Sequence, residues 1–174
     1  MKKKEVYGSQ MAIVGQVTYK KVSLQCVIEH LVSCQGRPVS QRNLVQVFHK
    51  VMVKSDMLYS SDFGHSEKRN SFTVMFTSDT GIQFGQIQFF FQYGSCISAV
   101  IRELKPYSST CTCQDHFGIS THALDDMNKY LLQPVCTSPQ VHVVHIDNII
   151  EKCVCVQVHN ILYVCQFPNH VPVD

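Results

Sequence analysis

The chain has 174 residues, of which 45% are hydrophobic and 16% charged, and its formal net charge is +2. This composition excludes a disordered chain, and so small a net charge excludes a protein that holds a nucleic-acid backbone by charge alone. No segment approaches the roughly 18 to 20 consecutive apolar residues of a membrane span. The 23 valines and 11 isoleucines stand against only 3 alanines and 9 leucines, which favours a mainly β fold over a helical bundle.

The start of the chain predicts an arm followed by a helix. Residues 1–21 carry lysines at both ends, which indicates a flexible N-terminal arm containing one strand, Met11 to Thr18. A single β-rich domain is expected over residues 22–174. Its first element is a short helix, because apolar side chains recur at helical spacing before Gly36-Arg37-Pro38: Leu24, Val27, Ile28, Leu31 and Val32.

The middle of the chain predicts antiparallel strands joined by short turns. Apolar residues from Leu44 to Val53 and from Met57 to Tyr59, on either side of a polar turn, predict a hairpin. Three further segments alternate apolar and polar residues and predict a three-stranded meander: Ser71 to Thr77, Ile82 to Gln92 and Cys96 to Leu104. In the second of these strands, the alternation places Ile87, Phe89 and Phe91 on one face, and Gly85 indicates a bulge or sharp bend.

The rest of the chain predicts a long loop, a second short helix and two more strands. The loop is expected from Lys105 to Gly118, one or two helical turns from Thr121 to Gln133, and the strands from Cys153 to Val158 and from Ile161 to Phe167. The predicted fold class is therefore mainly β. It is a single antiparallel, partly open β-barrel of seven or eight strands with one or two short helices.

The strongest candidate metal ligands are Cys111, Cys113 and His116, because two thiols and an imidazole within six residues can reach one ion. Zinc needs a fourth ligand, and the candidates are His122, Cys136 or the pair Cys153 and Cys155. The spacing fits no standard zinc ribbon or finger. We therefore predict no metal and no cofactor, and we expect most of the nine cysteines to fill the core.

The histidines and carboxylates do not predict a catalytic site. His142 and His145 are three residues apart in a strand-like segment, so we expect them on opposite faces, at the surface or at the barrel mouth, where they cannot form a joint site. The sequence contains no nucleophile elbow, glycine-rich phosphate loop, zinc-protease helix or kinase signature. Asp125 and Asp126 are expected on a solvated helix face. We predict that the protein is not an enzyme.

The cysteine count and the absence of glycosylation sites predict an intracellular location. Nine is an odd number of cysteines, and no Asn-x-Ser/Thr sequon occurs. The lysines at positions 2–4 are followed by polar residues and not by the apolar core of a signal peptide.

Six short segments, taken in order, carry a family resemblance over about residues 45–174: Tyr59-Ser60-Ser61-Asp62-Phe63, Lys68-Arg69-Asn70-Ser71-Phe72-Thr73-Val74, Phe84-Gly85-Gln86-Ile87-Gln88-Phe89-Phe90, Ile146-Asp147-Asn148-Ile149, Lys152-Cys153-Val154 and Tyr163-Val164-Cys165-Gln166-Phe167-Pro168-Asn169. They resemble the C-terminal domain of transposon-derived, transposase-associated proteins, which are common in fish and aquatic invertebrates. The chain departs from that family after Asn169, where His170 replaces an acidic residue. The resemblance implies that the domain follows a transposase-like region.

A second resemblance concerns the order of the elements. A Gly-x-Ile strand, an apolar strand, a variable loop, an Ile-x-x-Ile step and a Lys-Cys-Val strand are similar to the bromo-adjacent homology modules of chromatin proteins. This resemblance implies a twisted barrel that binds protein segments through loops and edge strands, in the nucleus. The aromatic side chains that could contact such a partner are Tyr59, Phe63, Tyr93 and Tyr107, and the alternative for them is packing in the core or at the barrel rim.

We therefore expect a noncatalytic interaction module, derived from a mobile element, with a protein or chromatin partner. One alternative is a DNA-contacting accessory domain, whose basic residues would have to cluster on one surface: Lys2 to Lys4, Lys20, Lys21, Arg37, Arg42, Lys50, Lys54, Lys68 and Arg69. The other is a metal-dependent or thiol enzyme built on Cys111, Cys113 and His116. Because the net charge is small, binding to duplex DNA is expected to be nonspecific, about 10⁻⁴ to 10⁻⁶ M at physiological salt.

Overall fold

The structure is a computed structural model, and it describes eight ranges of the chain: residues 5–7, 11–21, 25–35, 44–53, 56–63, 72–107, 133–159 and 161–166. Within these ranges it has one α-helix, α1 (Gln25–Gln35), and one 3₁₀ turn, Ile146–Asn148. The strands of the same ranges are β1 (Glu5–Tyr7), β2 (Met11–Ile13), β3 (Val17–Lys21), β4 (Leu44–Phe48), β5 (Lys50–Val53), β6 (Asp56–Tyr59), β7 (Thr73–Ser78), β8 (Gly81–Tyr93), β9 (Cys96–Pro106), β10 (Gln133–His145), β11 (Ile149–Val158) and β12 (Ile161–Gln166).

The strands form two antiparallel sheets. The larger has eight strands in the order β3-β4-β8-β7-β11-β12-β10-β9, and β9 also pairs with β8. This last pairing joins six strands, β8, β7, β11, β12, β10 and β9, into a hydrogen-bonded ring, which we call the ring. The predicted fold class, a mainly β, antiparallel and partly open barrel, is confirmed. The smaller sheet, in the order β1-β2-β5-β6, was not predicted.

The predicted meander is confirmed as β7, β8 and β9, but the bulge lies at a different residue. Gly81, with φ 114°, ends the β7–β8 turn, in a conformation that favours glycine. The register of β8 against β9 shifts between Ile87 and Phe89, not at Gly85. Gln88 is the extra residue of this bulge, and it reverses the alternation of side chains along β8. Ile87 therefore lies in the core between the sheets, and Phe91 lies beneath α1. The prediction that these two side chains share a face is therefore wrong.

Three apolar clusters hold these elements together. The largest lies between the two sheets and takes side chains from both, among them Ile13, Phe48, Val51, Leu58, Phe76, Phe90 and Ile101. A second cluster packs the helix on the larger sheet through Val27, Leu31, Val45, Val47, Phe91 and Val100. The third takes residues from all six strands of the ring: Met75, Phe84, Leu104, Val135, Cys153, Cys155, Leu162 and Val164.

The chain passes from one sheet to the other at His49. The predicted hairpin of residues 44–59 is present as β5 and β6, whereas β4 belongs to the larger sheet and pairs with β3 and β8. The predicted arm, residues 1–21, contributes β1, β2 and β3. Ala12 and Ile13 are buried, because β2 pairs with β5 over the core between the sheets.

The last two predicted strands are confirmed as β11 and β12, which form a hairpin closed at His159, with φ 55°. One face of this hairpin packs in the core and the other faces solvent. Cys153 and Cys155 are buried in the third cluster, whereas Val156 and Val158 are exposed. Of the predicted helix at residues 121–133, only Gln133 is described, as the first residue of β10.

Candidate functional site

The four aromatic residues predicted to contact a partner do not form one surface. Tyr59 and Phe63 pack together with their ring centroids 5.4 Å apart, and Lys50 places its Nζ 5.0 Å from the centre of the Tyr59 ring. Tyr93 packs beside the helix cluster. The backbone N–H of Tyr107 donates a hydrogen bond to the Pro134 carbonyl at 2.9 Å. Their binding role stays a prediction.

The candidate metal ligands Cys111, Cys113 and His116 lie outside the described residues, as does His122. Within the described ranges, no group of three or more His, Cys, Asp or Glu residues is arranged to hold a metal ion. Among the cysteines of these ranges, burial raises the pKa of the Cys153 thiol to about 12, with a smaller contribution from Glu151. Such a thiol is inert at neutral pH.

Most of the basic residues that a DNA surface would need also lie outside the described ranges. Lys20 is exposed on edge strand β3, and Lys50 lies on β5 over Tyr59. The single helix of the described part of the chain is too short to cross a membrane.

The most open part of the ring is a gap beside β10. This strand pairs with β12 only from Gln133 to Val135, and its register against β9 is interrupted between Thr137 and Val141. From Val141 to His145, β10 pairs with β9 alone among the described strands. One of its edges therefore faces the gap without a neighbouring strand in the described part of the chain.

A cleft of about 490 Å³ occupies this gap, within the size range of small-ligand sites. Three structural elements surround it: α1, the β7–β8 turn and the stretch from β10 to Asn148. The lining is mostly polar, with three imidazoles and several hydroxyl and amide groups. Its residues include His30, Ser33, Thr77, Thr80, Gln140, His142, His145 and Asn148.

The two histidines of β10 alternate across the strand, as the sequence predicts. The ring of His142 lies 5.6 Å from that of Phe76, a residue of the core between the sheets. His145 is paired with Ser98 of β9, the serine whose Oγ lies 3.1 Å from Nε2 of His30 on α1. Both nevertheless line the cleft, because the cleft lies at the edge of the strand, so the prediction that they cannot share a site is wrong.

His30 is the residue of this cleft that the sequence did not single out. Its ring lies edge-on to Phe91, with centroids 6.4 Å apart, and so takes part in packing the helix. Burial lowers the pKa of His30, and repulsion from His145 lowers it further. The imidazole is therefore neutral at pH 7. No local sequence signal links a helix residue to a strand more than a hundred positions away.

Two serine–histidine pairs occur in the described residues, and in both the serine is shielded from solvent. Oγ of Ser60 lies 2.7 Å from Nδ1 of His49, and Ser60 is 0% exposed. Ser98, beside His30, is 1% exposed. A nucleophile must reach its substrate, so both hydroxyls serve as hydrogen-bond partners.

We expect folding stability to fall as the pH drops from 7.5 to 5. Burial lowers the pKa of His49 in the folded protein below its ordinary value of 6.5; the Asp62 carboxylate opposes this shift and the Lys20 ammonium adds to it. The unfolded chain therefore binds protons more readily, so stability present above pH 6.5 is lost below it. Urea denaturation across this range should show a shallower loss for His49→Gln than for the wild type. Parallel curves would show that His49 is not the cause.

No protein-family model, curated protein or solved structure matches the chain. The transposon origin and the similarity to chromatin modules therefore stay predictions from the sequence.

Proposed function

We propose that the protein is a noncatalytic binding module that takes up an extended segment of another polypeptide in the cleft of the ring. The observation that carries this proposal is the edge of β10 from Val141 to His145, which has no second strand beside it among the described residues. A strand edge presents backbone donors and acceptors, and an added strand satisfies them in many peptide-binding domains.

The surroundings of this edge support a peptide ligand. The opposite wall carries the hydroxyl of Thr77, which can bind a backbone amide, whereas the hydroxyls of Ser78 and Thr80 bond each other at 3.0 Å within the turn. The ring of His142 packs on the fully buried ring of Phe76 and so closes the inner end of the gap. The sequence resemblances add a chromatin protein as the proposed partner and a mobile element as the proposed origin.

Binding is favoured over catalysis because the two serines that pair with a histidine in the described residues, and the Cys153 thiol, are shielded from the cleft. Ser60 and Ser98 are buried, and burial holds Cys153 in its thiol form. The groups that do reach the cleft form hydrogen bonds readily, and their side chains come from a helix and strands that are fixed by packing. A cleft of this kind recognises a ligand without changing it.

The proposal predicts that peptides selected from a random display library bind the wild type and lose affinity when the cleft is blocked. Thr77→Arg places a long side chain at the exposed wall of the cleft and should weaken binding at least tenfold. Thr137→Arg, also at an exposed strand threonine but outside the lining, is the matched control and should bind as the wild type does. Fluorescence anisotropy with labelled peptide measures both.

The mode of binding is tested with N-methylated peptides. An added strand uses alternate backbone N–H groups, so methylation should abolish binding at every second residue. Failure to select any peptide, or binding that Thr77→Arg leaves unchanged, would contradict the proposed function.

A further inference from the structure

The cleft has an unusual charge composition for a polar site. Its described lining contains three histidines and one acidic residue, Asp79, and contains no lysine, arginine or glutamate. Asp79 is exposed on the β7–β8 turn. The described lining of the cleft can therefore carry positive charge only on its imidazoles, and only when they are protonated.

His142 carries hydrogen-bonding capacity that the described protein groups leave unused. Its Nε2 is buried and has no hydrogen-bond partner among the described residues. Buried polar nitrogens are nearly always paired, so the unpaired Nε2 of a residue that lines the cleft leaves one hydrogen bond for a ligand to supply when the ring turns toward it. A carboxylate oxygen accepts a hydrogen bond from an imidazole N–H and gains a charge-assisted bond when the ring is protonated.

The charged groups of the described residues near the other two imidazoles are mainly carboxylates. His30 faces His145, and Glu29, on its own helix, accepts a hydrogen bond from Gln25. Nδ1 of His145 lies 3.4 Å from an oxygen of Asp147, whose side chain is 65% exposed. Asp79 is the one carboxylate of the described lining. Repulsion between His30 and His145 would be relieved by a negative charge between them.

We propose that the polypeptide segment bound in the cleft carries a carboxylate side chain, which is recognised by His30, His142 and His145 and is bound more tightly as the pH falls from 7.5 to 5.8. This inference rests on the proposed function and specifies its ligand. The physical reason is linkage: an anion that favours the protonated imidazoles must bind more tightly where those imidazoles are protonated. The pKa of His30, lowered in the empty protein, would rise when the carboxylate binds.

The test compares matched peptides that differ only by Glu and Gln at one position of the selected sequence. Dissociation constants are measured at pH 7.5 and 5.8 at constant ionic strength. The best Glu peptide should bind at least tenfold more tightly than its Gln counterpart at pH 5.8, with a clearly smaller ratio at pH 7.5. Equal binding of Glu and Gln peptides, or a ratio that does not change with pH, would overturn the inference while leaving the proposed function in place. Failure of both peptides to bind would contradict the proposed function itself.

Variants assign the pH dependence to the cleft. His142→Asn should remove most of the rise in Glu preference, and His145→Asn, at a more exposed residue, serves if the first variant does not fold. His49→Asn removes a histidine outside the cleft lining and should retain the rise. Circular dichroism verifies that both cleft variants fold. If the preference for the Glu peptide still rises at low pH in both variants, these imidazoles do not cause the pH dependence and the inference is refuted.

Discussion

Replacing Phe90 by alanine is expected to lower the free energy of unfolding by about 3 to 5 kcal/mol. The Phe90 ring is fully buried between the two sheets and stacks on Phe48, with centroids 5.8 Å apart and an interplanar angle of 8°. Strand β8 is hydrogen-bonded to β4 and β9 on either side of this residue, so the backbone cannot close the resulting cavity. Urea denaturation followed by far-ultraviolet circular dichroism measures the loss.

Phe89→Ala is the matched control for this prediction. Phe89 is half-buried and packs against the helix cluster on the opposite face of β8, so its removal should cost less, about 1 to 2 kcal/mol. The sequence alternation alone would have placed Phe89 in the same row as Ile87. A larger loss for Phe89→Ala than for Phe90→Ala would show that the bulge after Ile87 is misplaced.

Gly85→Ala is expected to destabilise the fold by about 3 kcal/mol, although alanine is normally the more favourable residue in a strand. An added Cβ would lie 2.7 Å from the carbonyl oxygen of Arg102 and 3.0 Å from Cε1 of Phe76, and it would overlap the side chain of Ile101. The carbonyl belongs to the β8–β9 ladder, so it cannot move without breaking the pairing. Thermal unfolding and urea denaturation measure the change.

A second glycine variant separates this steric effect from a general intolerance of glycine replacement. Gly94 has φ 61° and open space around its missing side chain, and asparagine adopts such a conformation at small cost. We expect Gly94→Asn to change stability by less than about 1 kcal/mol. If Gly85→Ala were equally mild, β8 and β9 would have to lie farther apart at this point.

The strands were predictable where apolar and polar side chains alternate along the sequence. Alternation from Ser71 to Thr77 and from Cys153 to Val158 matches β7 and β11, because the pleat places successive side chains on opposite faces. The bulge was not predictable, because no local sequence feature distinguishes Gln88 from the other glutamines of β8. Gly85, the residue expected to form the bulge, instead allows close packing against Ile101 and Phe76.

The smaller sheet and the cleft depend on contacts that are distant in sequence. From Leu44 to Val53 the apolar pattern is nearly continuous, so nothing local shows that the chain changes sheets at His49. In the cleft, His30 of α1 lies near β10, which begins at Gln133. The sequence predicts these two elements separately and gives no sign that they are neighbours. The placement of His142 and His145 on alternate faces was predictable, but their shared cleft was not, because it arises where β10 loses its second neighbour.

The core between the sheets also sets the smallest fragment that can fold as an independent unit. Ile13 from β2 is almost completely buried against side chains of the larger sheet, and Val27 and Leu31 of α1 cover its other face. A fragment limited to residues 45–174 would lack all three side chains and would expose apolar surface on both faces of that sheet to water. We therefore expect the cooperatively folding unit to begin before residue 45 and to include β2 and α1.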